Sequence, residues 1–171
     1  KSLMAMPRIK ICCIASVEEA ELAIRCGASA IGLVSEMPSG PGVIPDDTIA
    51  EIATRVPPGV DSFLLTCAQD PSTIIEQQRR AGVAVIQLCD SLPAPAYATL
   101  RRAMVGVRLV QVIHVTGPES VTEALDAAPH VHALLLDSGR PSLAVKELGG
   151  TGRVHDWSIS REIRSRCAVP V

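Results

Sequence analysis

The chain has 171 residues, a formal net charge of -2 and only three aromatic residues, Phe63, Tyr97 and Trp157. That length suits a single domain, 1-171, whose core is built from Ile, Leu, Val and Ala. The near-neutral charge gives no electrostatic case for nucleic acid or an anionic membrane as partner, and favours a small neutral or anionic metabolite. No apolar run reaches the roughly 18 residues needed to span a bilayer, and the N-terminus lacks a basic region followed by an apolar block, so a cytoplasmic location is expected. Six cysteines, Cys12, Cys13, Cys26, Cys67, Cys89 and Cys167, are scattered through strand-like and helix-like segments, which reads as reduced thiols. None of their spacings is that of a zinc site, and His114, His130, His132 and His155 add no metal-ligand pattern, so no metal is expected.

The first predicted strand, Arg8 to Ile14, carries Cys12 and Cys13 to its end just before a helix. Ser16 and Glu19 form an S-x-x-E capping box that starts that helix, and Gly27 can end it. Ala30 to Val34 is a short apolar run bounded by turn signals, hence a buried strand; Ser35 to Val43, rich in Pro and Gly, is a loop. Pro45 opens a second helix, with Ile49 and Ile52 on one face, and Pro57-Pro58 stop it. Ser62 to Cys67 is the third strand. Asp70 as N-cap and Pro71 as first helical residue begin a helix that reaches Ala81-Gly82.

The alternation continues with a strand over Val83 to Leu88, a helix over Ala94 to Met104, and a strand over Val107 to Val115. Pro118 opens a fifth helix, and Val131 to Leu136 is a sixth strand ending at Asp137. A long loop, Ser138 to His155, leads to Asp156 as N-cap of a sixth helix, and Cys167 to Val171 begins a seventh strand. Strands alternating with helices of roughly 10 to 15 residues imply successive β-α-β units and one parallel sheet. The expected class is α/β, a (β/α)8 TIM barrel. Such barrels typically need about 250 residues, so the chain is expected to lack its last repeat and the natural protein to continue beyond Val171. An open doubly wound sheet is the alternative, weakened by the lack of a Gly-x-Gly-x-x-Gly turn after the first strand.

Chemistry in parallel α/β folds lies beyond the carboxyl ends of the strands, where Cys12 and Asp137 both fall. A thiol and a carboxyl group across one pocket make a general base and general acid pair. Each residue also has a plainer reading: Cys12 as a small hydrophobe, and Asp137 as the cap of the turn that follows it. Strand alternation turns Cys12 and Cys13 opposite ways and puts Lys10 on the side of Cys12. Gly149-Gly150-Thr151-Gly152-Arg153 can expose several backbone N-H groups toward an anion.

These residues resemble the phosphoribosylanthranilate isomerase family. The matches are Lys10-Ile11-Cys12, Cys26 to Gly32, Val85-Ile86-Gln87-Leu88, Leu134-Leu135-Leu136-Asp137-Ser138, and Gly149-Gly150-Thr151-Gly152 followed by His155-Asp156-Trp157. They occur in order over essentially the whole chain. The resemblance implies an eightfold barrel and an Amadori rearrangement of an aminoaldose phosphate to an aminoketose phosphate, with no metal or organic cofactor. By it, Asp137 would protonate the furanose oxygen and Cys12 would take the proton from sugar carbon two. Lys10, Gln87, Gly149, Gly150, Thr151 and Gly152 would bind substrate. The implied partner is a small phosphorylated sugar, and the protein would be a monomer or homodimer.

The chain also departs from the family pattern. Cys12-Cys13-Ile14-Ala15 stands for Cys-Gly-Ile-Thr, and Ser39-Gly40-Pro41-Gly42 lacks the arginine of a Ser-x-Arg element that helps hold substrate. Cys67 ends the third strand where the family has Asn, and Cys89-Asp90 replaces His-Gly. The expected function is the isomerase of tryptophan biosynthesis. The alternatives are a barrel of the same ancestry that acts on, or merely binds, another phosphorylated metabolite, and a structural or interaction protein.

Overall fold

Capping and turn residues place six helices where the apolar spacing asks for them. The computed structural model describes residues 7–171; residues 1–6, on which part of the reading of the N-terminus rests, lie outside them. In chain order the elements are β1 (Lys10–Ile11), α1 (Val17–Arg25), β2 (Ala30–Val34), α2 (Asp46–Arg55), β3 (Asp61–Thr66), α3 (Pro71–Ala81), β4 (Val85–Leu88), α4 (Ala94–Ala103), β5 (Arg108–His114), α5 (Glu119–Ala127), β6 (Ala133–Asp137) and α6 (Trp157–Arg166). The capping box forms: Ser16 Oγ accepts the Glu19 N-H at 3.3 Å, and the Glu19 carboxylate accepts the Ala15 N-H at 2.7 Å. Asp70 caps α3 by accepting the Thr73 N-H at 3.0 Å, and Gly82 ends that helix in the left-handed region at φ 65°.

All neighbouring strands pair in parallel, and they follow one another in the sheet in sequence order, β1-β2-β3-β4-β5-β6. An order that never reverses has no switch point of the kind a doubly wound sheet uses, and the sheet curls into a half-barrel with the helices outside. Alternation along each strand sorts the side chains. Ile31, Leu33, Leu64, Ile86, Leu88, Leu109, Ile113 and Leu134 pack outward against the helices in the main core. Val34, Leu65, Cys89, Val112 and Leu148 form a second cluster on the concave side. Interior layers of this sort are what a parallel barrel uses in place of a hollow.

Two elements differ from the sequence reading. The first strand forms only over Lys10–Ile11, although the Ile14 N-H still reaches the Gly32 carbonyl at 3.3 Å. Cys13 interrupts the ladder because its backbone is left-handed, at φ 60°. Residues 167–171 form no strand; Pro170 has no N-H to give a ladder, but its carbonyl accepts the Leu134 N-H at 2.9 Å, so this segment lies along β6. The long loop between β6 and α6 is not structureless either. Arg140 and Glu147 pair as a short antiparallel bridge, with N-H to carbonyl distances of 2.8 and 3.2 Å. No described helix is long and apolar enough to cross a membrane.

Candidate active site

Inward alternation on β1 and β6 delivers Lys10, Cys12, Leu135 and Asp137 to the concave face, and a cavity of about 280 Å³ opens there. Its walls bring together Cys12, Cys13, Lys10, Gln87, Asp137, Gly149 and Gly150, with Val34, Leu65, Cys89 and Leu148 as the apolar lining. Six of the eight predicted site residues therefore meet. Thr151 and Gly152 stand outside the cavity, and the Thr151 hydroxyl instead hydrogen-bonds Ser138. A larger cavity of about 710 Å³ runs beneath, bordered by Lys10, Phe63, Val110, Trp157 and Arg164; its walls hold no thiol and no carboxylate.

Two glycines clear space for the reacting groups. A Cβ on Gly32 would lie 2.8 Å from the Cys12 sulfur and 3.2 Å from its Cα. A Cβ on Gly149 would lie 2.5 Å from Asp137 Oδ2, in a backbone at φ 136° that side chains rarely adopt. The other carboxylate oxygen of Asp137 accepts the Ser138 N-H at 2.7 Å. One oxygen is thus held by the backbone while the other faces the close approach of Gly149.

Four thiols surround this face, and three have evident structural roles. Burial pushes the Cys89 thiol up to about 12. Burial raises Cys67 as well, and its S-H points at the Glu36 carbonyl 3.2 Å away. Cys13 is raised first by burial and then by the neighbouring Cys12, and its S-H points at the Pro41 carbonyl at 3.6 Å. Such thiols stay protonated at neutral pH. Cys12, exposed to the cavity, has no protein hydrogen bond among the described residues. Lys10 on the floor donates to Gln87 Oε1, and its ammonium stands 4.5 Å from the centre of the Phe63 ring.

The substituted positions touch one another. Cys13 fits only because position 42 is glycine, where a Cβ would come within 2.5 Å of the Cys13 Cβ. Ser39 Oγ donates to the Lys146 carbonyl at 2.7 Å, and the Lys146 ammonium pairs with Asp90. Sequence reading missed Lys146 and also His114. The latter is buried beside Asp137 in the sheet register and donates its Nε2 hydrogen to the Cys89 carbonyl at 2.9 Å. A buried histidine at a strand end was the available signal for His114. Lys146 had none, since its partner lies 56 positions away. No cluster of three or more metal-ligating side chains occurs among the described residues.

Residues 9–169 match the family model described as N-(5'phosphoribosyl)anthranilate (PRA) isomerase. The chain belongs to this family. Among curated relatives, the N-(5'-phosphoribosyl)anthranilate isomerase 2 of Methanosarcina mazei is 34% identical over 165 residues, spanning 96% of this chain and 72% of the relative. The phosphoribosyl anthranilate isomerase of Thermotoga maritima superposes with a TM-score of 0.80 at 24% identity, over 96% of this chain and 75% of that one. A family structure bound to reduced 1-(o-carboxyphenylamino)-1-deoxyribulose 5-phosphate gives a TM-score of 0.76 at 21% identity, over 96% of this chain and 74% of that one. These structural matches share the half-barrel order of strands and helices.

Proposed function

We infer that the protein is a phosphoribosylanthranilate isomerase of tryptophan biosynthesis, which converts N-(5'-phosphoribosyl)anthranilate to the carboxyphenylamino-deoxyribulose phosphate. The observation that carries the catalytic assignment is one thiol and one carboxyl group, on the inner ends of β1 and β6, lining a single cavity with glycines at both closest approaches. Asp137 gives its proton to the furanose oxygen as the ring opens to a Schiff base. Cys12 then takes the proton from sugar carbon two, and the enolamine relaxes to the ketone. Ring opening needs an acid at the ether oxygen, and carbon deprotonation needs a thiolate, which a free cysteine near pKa ~8.5 supplies only in part at neutral pH. Cys12 faces the cavity without a hydrogen bond among the described residues, whereas the Cys13 and Cys67 thiols are directed at backbone carbonyls, which supports Cys12 as the base.

The remaining site residues follow from the same cavity. Gln87 and Lys10 line its floor, and of the glycine-rich turn Gly149 and Gly150 offer their backbone N-H groups to the substrate's polar atoms. For the fold as a whole, we read the six repeats as part of an eightfold (β/α) barrel forming one domain. The curl of the sheet and the Pro170 carbonyl beside β6 support that reading. Six free thiols fit a reducing compartment such as the cytoplasm.

The test is the loss of substrate fluorescence on conversion by the purified protein. Cys12→Ala and Asp137→Asn are each expected to lower kcat by roughly a hundredfold or more, the range for removing a general base or acid. Turnover that survives both changes rules out the assignment. A second reading, a barrel acting on another phosphorylated metabolite, is favoured by one observation: the loop Ser39 to Gly42 carries no cation at the cavity mouth. Full activity on the anthranilate substrate sets that reading aside.

A further inference from the structure

The substrate named above carries an aromatic carboxylate, and a carboxylate taken out of water needs a cation or several N-H donors. Among the described residues lining the cavity the single cation is Lys10. Its ammonium is held on the floor by Gln87 and the Phe63 ring, and borders the deeper cavity as well. Arg153, in the glycine-rich turn, is folded back on Glu147. Both cations are thus already engaged by neighbouring side chains.

Lys146 is a third cation, and its ammonium is paired with Asp90, the residue after Cys89 of the cavity wall. Its carbonyl is held by the Ser39 hydroxyl of the opposite loop at 2.7 Å, and Leu148, two residues on, lines the apolar wall. The residue is therefore tied to Ser39 of the cavity wall and, through Asp90, to the chain beside Cys89. The Asp90 side chain is 8% exposed, whereas that of Lys146 is 39% exposed. An ammonium has three hydrogens. Asp90 accepts one of them, and the open side of the pair leaves others for a second carboxylate. Two family departures meet at this one residue: Asp90 at its ammonium, and Ser39 of the loop without arginine at its main-chain carbonyl.

We propose that Lys146, anchored by Asp90, is the cation that receives the carboxylate of the substrate's aromatic ring, and so determines specificity for a carboxylated amine. This assignment rests on the isomerase reading. The test is steady-state kinetics with two substrates, phosphoribosylanthranilate and phosphoribosylaniline, which lacks only the carboxylate. Lys146→Met is expected to raise KM for the first by roughly 10- to 100-fold, the range for losing a hydrogen bond between charged partners, with kcat within a few fold. KM for phosphoribosylaniline is expected to stay the same in wild type and variant, and Lys146→Arg to restore the anthranilate KM. Because Lys146→Met alone strands the buried Asp90 carboxylate, the pair Asp90→Asn with Lys146→Met provides a variant with both charges removed, and the same KM pattern is expected. A KM for phosphoribosylanthranilate that ignores Lys146, or a rise of equal size with both substrates, overturns the assignment. Wild-type protein that turns over neither substrate overturns the isomerase reading and this assignment with it.

Discussion

A methyl group on residue 32 would lie 2.8 Å from the Cys12 sulfur and 3.2 Å from a methyl of Leu65. Gly32 lies within β2 and has no positive φ, so its role is space rather than backbone freedom. Gly32→Ala is therefore expected to displace the thiol while leaving the strand paired. Since a misplacement of about 1 Å can lower a rate on the order of a hundredfold, kcat should fall by roughly that factor, with little change in the urea midpoint. A kcat within twofold of wild type would show that the thiol position is not held by this contact. Gly32 was legible in the sequence only as part of a strand. Its partner became visible when β1 was laid beside β2.

At the scale of elements, local chemistry explains most of what formed. The capping box at Ser16 and Glu19 starts α1 five residues after Cys12, and thereby fixes where the chain leaves the site. Ser16→Ala is expected to lower unfolding free energy by about 1 kcal/mol, measured by urea denaturation, because the Glu19 N-H then lacks its side-chain acceptor. No change would mean that solvent serves that N-H equally well. The first strand was legible as an apolar run but not in its length. Its ladder stops at Ile11, and Cys13 just beyond adopts a left-handed backbone that no turn residue in the sequence announces. The loop from Ser138 to His155 was legible as a connection, and its Arg140–Glu147 bridge was not, because no turn signature marks that pairing.

For the molecule as a whole, the inner cluster ties the site to stability. Cys89 sits among Val34, Leu65, Val112 and Leu148, and burial lifts its thiol from 9.0 to about 12. The folded state thus holds this proton more tightly than the unfolded chain does. Its contribution to stability is complete below about pH 9 and is lost as pH rises from there toward 12, at a slope approaching about 1.4 kcal/mol per pH unit. Unfolding free energy measured from pH 8 to 11 should fall more steeply in wild type than in Cys89→Ala. Equal slopes would place the alkaline loss elsewhere, for instance at the raised Tyr97 or Cys67.

Read alone, the chain determined the succession of six β-α units and the two strand ends that carry Cys12 and Asp137. Those features depend on neighbours a few positions apart: apolar runs of strand length, caps, stops, and alternation of side chains. Tertiary structure alone decided that Lys146 meets Asp90 and Ser39, that Cys13 needs Gly42 opposite it, and which of the four thiols around the cavity burial keeps protonated. These depend on groups brought together from distant parts of the chain, where packing and desolvation, rather than local propensity, set the outcome.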